Sequence, residues 1–232
     1  NKASLNNHSQ IMLEQSFGSF QSVATNARIL FNGKKIASDT RFSYQASEND
    51  FDYMNTAVIP SEEMTQTNAA FTNTGFTQQF IYAPSEKHQI SFNTWNQWHE
   101  RDIPPIMSNV YKGGDPQEKQ NGFFSRNILG WNYSKNQHQI EVKGAYLFED
   151  QNYYLKTTTN ADSADVVTLI DSENNTQSVA IKSRYETVLQ KGFGLTVGLD
   201  IDFESVNSNN YHGKKDRKTY GLYANLLKSI RD

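Results

Sequence analysis

The sequence predicts an all-β chain, an antiparallel meander of about ten strands from an outer-membrane β-barrel. Three observations favour this fold. Apolar and polar residues alternate over strand-length segments, short and long connections follow one another, and charged residues collect on one side of the alternation. A period of two is typical of strands with one apolar and one polar face. Strands of about 10 residues are long enough to cross a bilayer.

The clearest alternation covers residues 193–206. Every odd residue from Phe193 to Phe203 is apolar, whereas Asp200, Asp202 and Glu204 occupy even positions. A helix would scatter the apolar residues around its circumference, so the pattern indicates a strand. The other predicted strands show the same alternation with fewer matches: residues 9–17, 22–32, 35–48, 70–83, 87–101, 123–134, 138–150, 177–191 and 217–227.

The connections between these strands differ in length in a regular way. Four are short, at residues 32–35, 84–87, 135–137 and 191–192, and Gly or Asn is expected to supply positive φ angles there. Long connections separate them, and residues 18–21 are a short link where a long one is expected. Short turns at one rim and long loops at the other are typical of outer-membrane barrels, the short turns being periplasmic. The long connections are residues 49–68, 102–122, 152–176 and 207–216.

The composition excludes several other classes of protein. The 232 residues carry a net charge of −3 and no cysteine, which argues against nucleic-acid binding, disulfides and thiolate metal sites. No segment approaches the 18 consecutive apolar residues of a membrane-spanning helix. A mean hydropathy of −0.72 would normally suggest a soluble protein, but that inference fails for a barrel, because every second residue of its strands faces a polar lumen.

The alternation predicts which side chains face the lumen and which face lipid. Residues expected to face lipid include Val142, Ile181, Val197, Leu199 and Ile201. In a soluble sandwich the charged face would simply face water, so the charge pattern favours a barrel only together with the strand lengths and the loops. The charged positions expected on the lumen side are Glu14, Arg28, Asp39, Arg41, Glu141, Lys143, Glu149, Lys182, Arg184, Glu186, Asp200, Asp202 and Glu204.

Three short motifs resemble one family of outer-membrane proteins. Residues 14–20, with the sequence EQSFGSF, resemble the start of the barrel in TonB-dependent receptors. Residues 49–56, NDFDYMNT, resemble the loop after the third strand in receptors from the Bacteroidetes group. Residues 101–105, RDIPP, resemble the loop after the fifth strand in the cobalamin-receptor-like branch. The likeness continues through all ten strands in order.

The resemblance implies a plug domain followed by a 22-stranded barrel. Residues 1–232 would then be the N-terminal part of that barrel, beginning just after the plug and ending at a periplasmic turn near residues 228–232. The family imports scarce, bulky nutrients across the bacterial outer membrane. The implied ligand is cobalamin first and an iron–siderophore or another metal chelate second. The implied partners are the TonB complex, which acts through the plug, and outer-membrane lipid. Neither catalysis nor nucleic-acid binding is expected.

Six residues are candidates for the binding site. The resemblance places Asp50, Asp52, Tyr53, Arg101 and Asp102 in extracellular loops near the entrance, and the parity of Trp95 points its ring into the lumen. Carboxylates at a spacing of two suit Ca²⁺, so Asp50 and Asp52 are the candidate calcium ligands, and calcium is the only candidate cofactor. A solvated acidic loop is the alternative.

Each of the other polar clusters could have a functional role or could simply line the lumen or a loop. Asp200, Asp202 and Glu204 could guide a cation or simply line the lumen. His99–Asp102, or His212 with Asp216, could supply acid–base groups to a ten-stranded barrel protease, which would need a closed barrel. A soluble all-β binding module is a further alternative, and it would need strands of about five or six residues.

Overall fold

The computed structural model of the protein describes residues 8–105, 117–158, 166–189 and 192–228. Ten strands form one sheet in the order β1-β2-β3-β6-β7-β8-β9-β10-β11-β12, and every neighbouring pair is antiparallel, which confirms the predicted meander. No helix in these residues is long and apolar enough to span a membrane. The strands of the sheet are β1 His8–Gly18, β2 Ser22–Asn32, β3 Ile36–Ser47, β6 Phe71–Ser85, β7 His88–Ile103, β8 Gln117–Lys135, β9 His138–Thr158, β10 Val166–Val188, β11 Phe193–Ser208 and β12 Lys215–Lys228.

The remaining two strands lie in the connection between β3 and β6. β4 Asp52–Asn55 and β5 Glu62–Thr65 pair as an antiparallel hairpin of their own. The sequence predicts residues 49–68 only as a long connection, and it does not predict the hairpin within it. Four-residue strands carry too few alternating positions to be distinguished from a loop by periodicity.

Several strands are longer than the alternation predicts. β8 has 19 residues, β9 has 21 and β10 has 23. Residues 117–122, 152–158 and 166–176 are therefore strand and not loop, which corrects the predicted connections 102–122 and 152–176. Backbone hydrogen bonds between antiparallel strands form whether or not the side chains are apolar. The predicted strand ends were placed where the apolar residues stop, so they came too early. Residues 106–116 and 159–165 of these connections lie outside the described residues.

The short turns follow the expected chemistry in part. Asn136 and Gly192 have positive φ, 55° and 74°. Gly33 is not among the positive-φ residues, and its N–H donates to the carbonyl of Ile36 at 2.8 Å. The link between β1 and β2 is a tight turn in which Phe20 and Gln21 both have positive φ, 58° and 54°. Positive φ at both central residues is typical of a type I′ turn, whose twist matches that of the two strands it joins. Such a turn allows a short link between β1 and β2.

The register divides the sheet into two faces. Ile181 lies opposite Ile201, and the adjacent residue Lys182 lies opposite Asp200. Glu141 lies opposite Arg184 on the same side as Lys182. The predicted separation of apolar and charged residues is therefore confirmed across β9, β10 and β11. We call the side with Lys182 and Asp200 the charged face and the side with Ile181 and Ile201 the apolar face.

The sheet has no packed core behind either face. Among the described residues, the only buried hydrophobic side chains are Leu30 and Ala37, 2% and 0% exposed. Large side chains of the apolar face remain exposed, such as Phe42 and Ile181 at 42% each and Leu199 at 41%. Exposed large apolar side chains on one face mark a surface that contacts a membrane or another protein.

Aromatic side chains mark two levels of the apolar face. Trp98 stacks on Phe123, with 4.8 Å between ring centroids, toward the long-loop end. Trp131 stacks on His88 at 6.0 Å near the short turns, and it lies opposite Ile90. The eight residue-to-residue steps along β7 from Ile90 to Trp98 correspond to about 26 Å of strand. That length suits the apolar band of a membrane barrel, which aromatic girdles flank at both interfaces.

Uncharged polar side chains lie between these two aromatic levels and hydrogen-bond to one another. The Thr40 hydroxyl donates to the Gln78 amide oxygen at 2.5 Å, and the Asn96 amide donates to the Thr94 hydroxyl at 2.9 Å. These contacts reduce the cost of placing polar groups in an apolar environment.

The sheet is open at both edges. In the part of the chain that the structure describes, β1 pairs only with β2 and β12 only with β11. The ten strands do not close on themselves, whereas the barrel-protease alternative requires a closed barrel of ten strands.

Candidate functional site

A large cleft lies on the charged face at the long-loop end of β3, β6, β7 and β8. Its volume is about 950 Å³, and the connection that carries the β4–β5 hairpin forms one wall. Side-chain amides supply most of the polar lining, together with one histidine, one arginine and one aspartate. The lining residues are Gln45, Asn49, Phe51, Gln66, Ala69, Phe71, Asn73, Gln97, His99, Arg101, Asp102, Ile103, Pro104 and Gln120.

Strand register brings the floor of this cleft together. Asn73 lies opposite Gln45 on β3 and opposite His99 on β7. Arg101 lies two residues beyond His99, opposite Gln120 on β8. Amides both donate and accept hydrogen bonds, whereas Arg101 only donates and is always charged. The floor therefore suits a large polar ligand that carries several acceptor oxygens.

Gly122 makes room for the imidazole of His99. A Cβ atom at residue 122 would come within 2.7 Å of the His99 ring and within 2.8 Å of the Asp150 carbonyl oxygen. A larger residue at this position would displace His99 or the neighbouring strand.

The wall of the cleft is held to the β1–β2 turn by aromatic contacts. The ring of Phe51 meets that of Phe20 edge-on at 5.7 Å, and the ring of Tyr53 lies 6.2 Å from that of Phe51. The carbonyl of Phe20 accepts hydrogen bonds from the Ser47 hydroxyl at 2.9 Å and from the Glu48 N–H at 3.2 Å. The positive φ of Phe20 is unusual, because a bulky residue rarely adopts it. The contacts of its ring and its carbonyl stabilise this backbone conformation.

Two asparagines hold the ends of the same connection. The side-chain amide of Asn49 donates to the Ala69 carbonyl at 3.1 Å. The amide of Asn68 donates to the carbonyls of Ile103 at 2.6 Å and Glu118 at 3.0 Å. Both asparagines have positive φ, 54° and 53°, a conformation that Asn tolerates better than most residues. The connection is thereby fixed at the mouth of the cleft.

The predicted calcium residues lie beside the cleft and do not line it. Asp50 is exposed in the connection, and Asp52 in β4 accepts a 2.7 Å hydrogen bond from the Thr65 hydroxyl of β5. Tyr53 is half-buried against Phe51. Among the described residues, no group of three or more His, Cys, Asp or Glu side chains could hold a metal ion. Calcium binding by Asp50 and Asp52 therefore stays a prediction.

Arg101 and Asp102 both line the cleft, although they belong to opposite faces of β7. Arg101 is exposed on the charged face. Asp102 lies opposite Lys119, and its backbone N–H donates to the Ala70 carbonyl at 2.8 Å. Glu100 forms an ion pair with Lys119 on that other side. The predicted acid–base group His99–Asp102 is therefore divided between two faces.

Trp95 lies on the charged face, as its parity predicts. Its ring meets Phe124 edge-on at 4.8 Å, and the guanidinium of Arg126 lies 5.2 Å from the ring centre. A hollow of about 260 Å³ is lined in part by Trp95 and shares Gln45, Asn73 and Gln97 with the larger cleft. The two spaces form a continuous polar surface that leads from the long-loop end toward the middle of the strands.

The other polar clusters show ordinary pairing. Glu204 forms an ion pair with Arg217, and Asp200 lies opposite Lys182. Asp216 pairs with Lys214 at 3.6 Å. These contacts match lumen-lining charges and loop ion pairs.

Sequence reasoning missed the amides that form most of the cleft. Gln45, Asn73 and Gln97 each occupy the charged-face parity of their strands, as does Gln120 on β8. The position of these amides in the alternation of each strand predicts that they lie on the charged face. It does not predict which of them meet at the same end of the sheet. Phe51 was missed because its contact with Phe20 depends on the fold of the connection.

Comparison with known proteins gives a fold likeness alone. No protein family and no curated protein matches the sequence. The fold is similar to that of the ferric citrate transporter FecA in its unliganded form, with a TM-score of 0.54, 9% sequence identity and coverage of 96% of this chain. The ferric yersiniabactin uptake receptor FyuA from Yersinia pestis gives a TM-score of 0.47, 9% identity and 94% coverage. The chain spans 37% of the length of each of these proteins.

Proposed function

We propose that this chain forms the first ten strands of a 22-stranded outer-membrane barrel, in a receptor that imports a bulky metal chelate into a bacterium. In the proposed receptor a plug domain precedes these strands and receives energy from TonB. The observation that carries the proposal is a single long-stranded sheet with one exposed apolar face and one charged face. A membrane barrel needs both faces, because lipid contacts one and the contents of the lumen contact the other.

Strand length supports a barrel that projects beyond the membrane. The 21 residues of β9 correspond to about 70 Å of strand, more than the membrane thickness requires even with tilt. The excess lies at the long-loop end, where the cleft is. A ligand in that cleft would therefore meet the receptor outside the cell, before it enters the lumen.

The lining of the cleft supports a polar ligand with negative charge. Arg101 offers a full positive charge, His99 a second donor, and the amides of Gln45 and Gln97 several hydrogen bonds. An anionic ferric chelate has matching acceptor oxygens, and FecA is a ferric citrate transporter. Cobalamin, a neutral but amide-rich chelate, is the ligand that the sequence resemblance favours.

Binding measurements on the full-length protein that carries this chain test the choice of ligand. We expect Arg101→Gln to weaken binding of an anionic ferric chelate at least about tenfold, because hydrogen bonds to charged groups are strong. Lys119→Gln is the matched control, since this cation lies at a similar height on the other face. Binding of ferric citrate and cyanocobalamin should be compared by equilibrium dialysis. Equal effects of the two substitutions would contradict a role for the cleft.

Uptake measurements test the energy source. Cells that express the full-length protein should accumulate the labelled chelate only when TonB is present. Binding at the cell surface should persist without TonB, because binding itself needs no energy. Uptake that continues at the same rate without TonB would contradict the proposed mechanism.

The two alternative functions have less support. A ten-stranded barrel protease needs a closed barrel, whereas the described strands leave both edges of the sheet unpaired. A soluble binding module needs short strands over a packed core, whereas β6 to β11 have 15 to 23 residues and the apolar face is exposed. The description of FecA as a transporter agrees with the expectation that this chain is not an enzyme.

A further inference from the structure

The short-turn edge of the sheet carries a row of exposed lysines. Lys34 and Lys35 lie in the β2–β3 turn, Lys87 in the β6–β7 turn and Lys135 at the start of the β8–β9 turn. Consecutive short turns are separated by two strands, or about 10 Å. The Debye length at physiological ionic strength is about 8 Å, so the charges of neighbouring turns are largely screened from one another, and each turn presents its own positive charge along the same edge. Glu86 is the one carboxylate in these three turns.

These lysines have no anionic partner within the described part of the chain. No carboxylate there lies within ion-pair distance of Lys34, Lys35, Lys87 or Lys135. Lysines at the opposite end are engaged differently. Lys119 pairs with Glu100, Lys214 pairs with Asp216, and the ammonium group of Lys156 lies 4.8 Å from the centre of the Tyr154 ring.

Aromatic side chains at the same edge fix the level of these ammonium groups relative to a membrane. On the apolar face, the rings of His88, Trp131 and Tyr133 contact one another, with centroids 4.9 to 6.3 Å apart, and Trp131 donates a 3.3 Å hydrogen bond to Nδ1 of His88. Two strands away His138 stacks on Tyr185 at 6.0 Å. Trp and Tyr prefer the headgroup level of a bilayer. Lys87 is adjacent to His88, and Lys135 is two residues beyond Tyr133, so both lie at that level.

We propose that this lysine row binds the phosphate groups of anionic phospholipids in the leaflet next to the short turns. The partner is a phospholipid with a net negative headgroup, such as phosphatidylglycerol. The inference rests on the membrane location proposed above. Its physical basis is charge complementarity at a depth that the aromatic residues set, since clustered lysines beside a bilayer attract anionic lipid.

Spin-labelled lipids measure this preference in the full-length protein reconstituted in vesicles. The probe lipids are phosphatidylglycerol and phosphatidylcholine, and their relative association with the protein is read from the motionally restricted fraction of each spectrum. We expect the unmodified protein to prefer phosphatidylglycerol. Substituting all four lysines by glutamine should reduce that preference at least about fivefold, the effect that one lysine near an anionic surface can produce. The variant carries Lys34→Gln, Lys35→Gln, Lys87→Gln and Lys135→Gln.

The matched control removes the same number of charges from the opposite edge. Lys119, Lys156, Lys214 and Lys215, each replaced by glutamine, should leave the preference unchanged. Equal loss in both variants, or no preference in the unmodified protein, would overturn the inference.

A salt series on the unmodified protein needs no variant and covers the case in which the substituted protein fails to fold. The preference should disappear toward 1 M NaCl, where the Debye length is about 3 Å, and a preference that survives this salt would also overturn the inference. Failure of the protein to insert even into phosphatidylcholine vesicles would instead contradict the proposed membrane location.

Discussion

Arg28 and Asp39 form a two-point ion pair between β2 and β3. Nε of Arg28 donates to Oδ1 of Asp39 at 2.9 Å, and Nη2 donates to Oδ2 at 2.7 Å. Arg41 donates to the same carboxylate from Nε at 3.1 Å and from Nη2 at 2.6 Å. The side chain of Asp39 is only 2% exposed, and that of Arg28 is 13% exposed. One buried carboxylate thus holds two guanidinium groups on the charged face.

Removing this carboxylate should destabilise the protein strongly. Asp39→Ala removes the buried carboxylate that binds Arg28 and Arg41, and we expect the free energy of unfolding to fall by about 3–5 kcal/mol. Urea unfolding of the full-length protein in vesicles, followed by tryptophan fluorescence, measures this change. Asp200→Ala, a charged-face carboxylate on β11, is the control and should cost less than about 1 kcal/mol. Similar costs for both variants would contradict a structural role for the Arg28–Asp39 pair.

The two faces of the sheet should differ in their contact with lipid. Spin labels on the apolar face should be quenched by lipid-soluble oxygen, because that face is expected to contact acyl chains. Labels on the charged face should be quenched by a water-soluble nickel chelate instead. Equal access of the chelate to both sets would disprove the assignment. The apolar-face positions are Val142, Ile181, Val197, Leu199 and Ile201, and the charged-face positions are Glu141, Lys182 and Asp200.

The aspartates beside the cleft should make ligand binding depend on calcium. Replacing Asp50 and Asp52 by Ala should weaken chelate binding and abolish any gain from added Ca²⁺, because carboxylates are the calcium ligands. Equilibrium binding with and without a calcium chelator is the measurement. Thr65→Val separates this effect from damage to the hairpin, since it removes the 2.7 Å hydrogen bond to Asp52 and keeps the carboxylate. Calcium-independent binding in the unmodified protein would remove both aspartates from the site.

Alkaline pH should weaken one contact outside the membrane-spanning part of the strands. The Tyr153 hydroxyl donates a 2.5 Å hydrogen bond to Glu118, which, with burial and the nearby negative charge, raises the pKa of Tyr153 to about 12. The pKa in the unfolded chain is about 10. Because the folded pKa is the higher one, the stabilisation is complete below about pH 10 and is lost as pH rises toward 12.

Absorbance at the tyrosinate band tests this shift. Subtracting the alkaline titration of Tyr153→Phe from that of the unmodified protein isolates the Tyr153 phenol. Glu118→Gln should lower the midpoint of that difference toward 10, because the carboxylate that holds the proton is gone. A midpoint near 10 in the unmodified protein would disprove the contact.

The alternation of residues 193–206 shows what the sequence determines by itself. Adjacent side chains of a strand point to opposite faces, so the parity of Leu199 and Asp200 assigned their faces without knowledge of the partner strands. The same local rule placed Trp95 on the charged face. The order of the strands also followed from the sequence, because short turns join neighbours in an antiparallel sheet.

Only the tertiary structure decided the strand lengths, the ion pairs and the cleft. β10 continues to Val166 because its backbone hydrogen-bonds with that of β9. These backbone hydrogen bonds cannot be recognised from the alternation of apolar and polar side chains. The sequence places Asp39 and Arg28 on the same face, but only the register of β2 and β3 brings the two side chains together. The cleft forms because Asn49, Phe51 and Asn68 hold a folded connection over amides from separate strands. These contacts join residues that are distant along the chain, whereas periodicity reports only on neighbours.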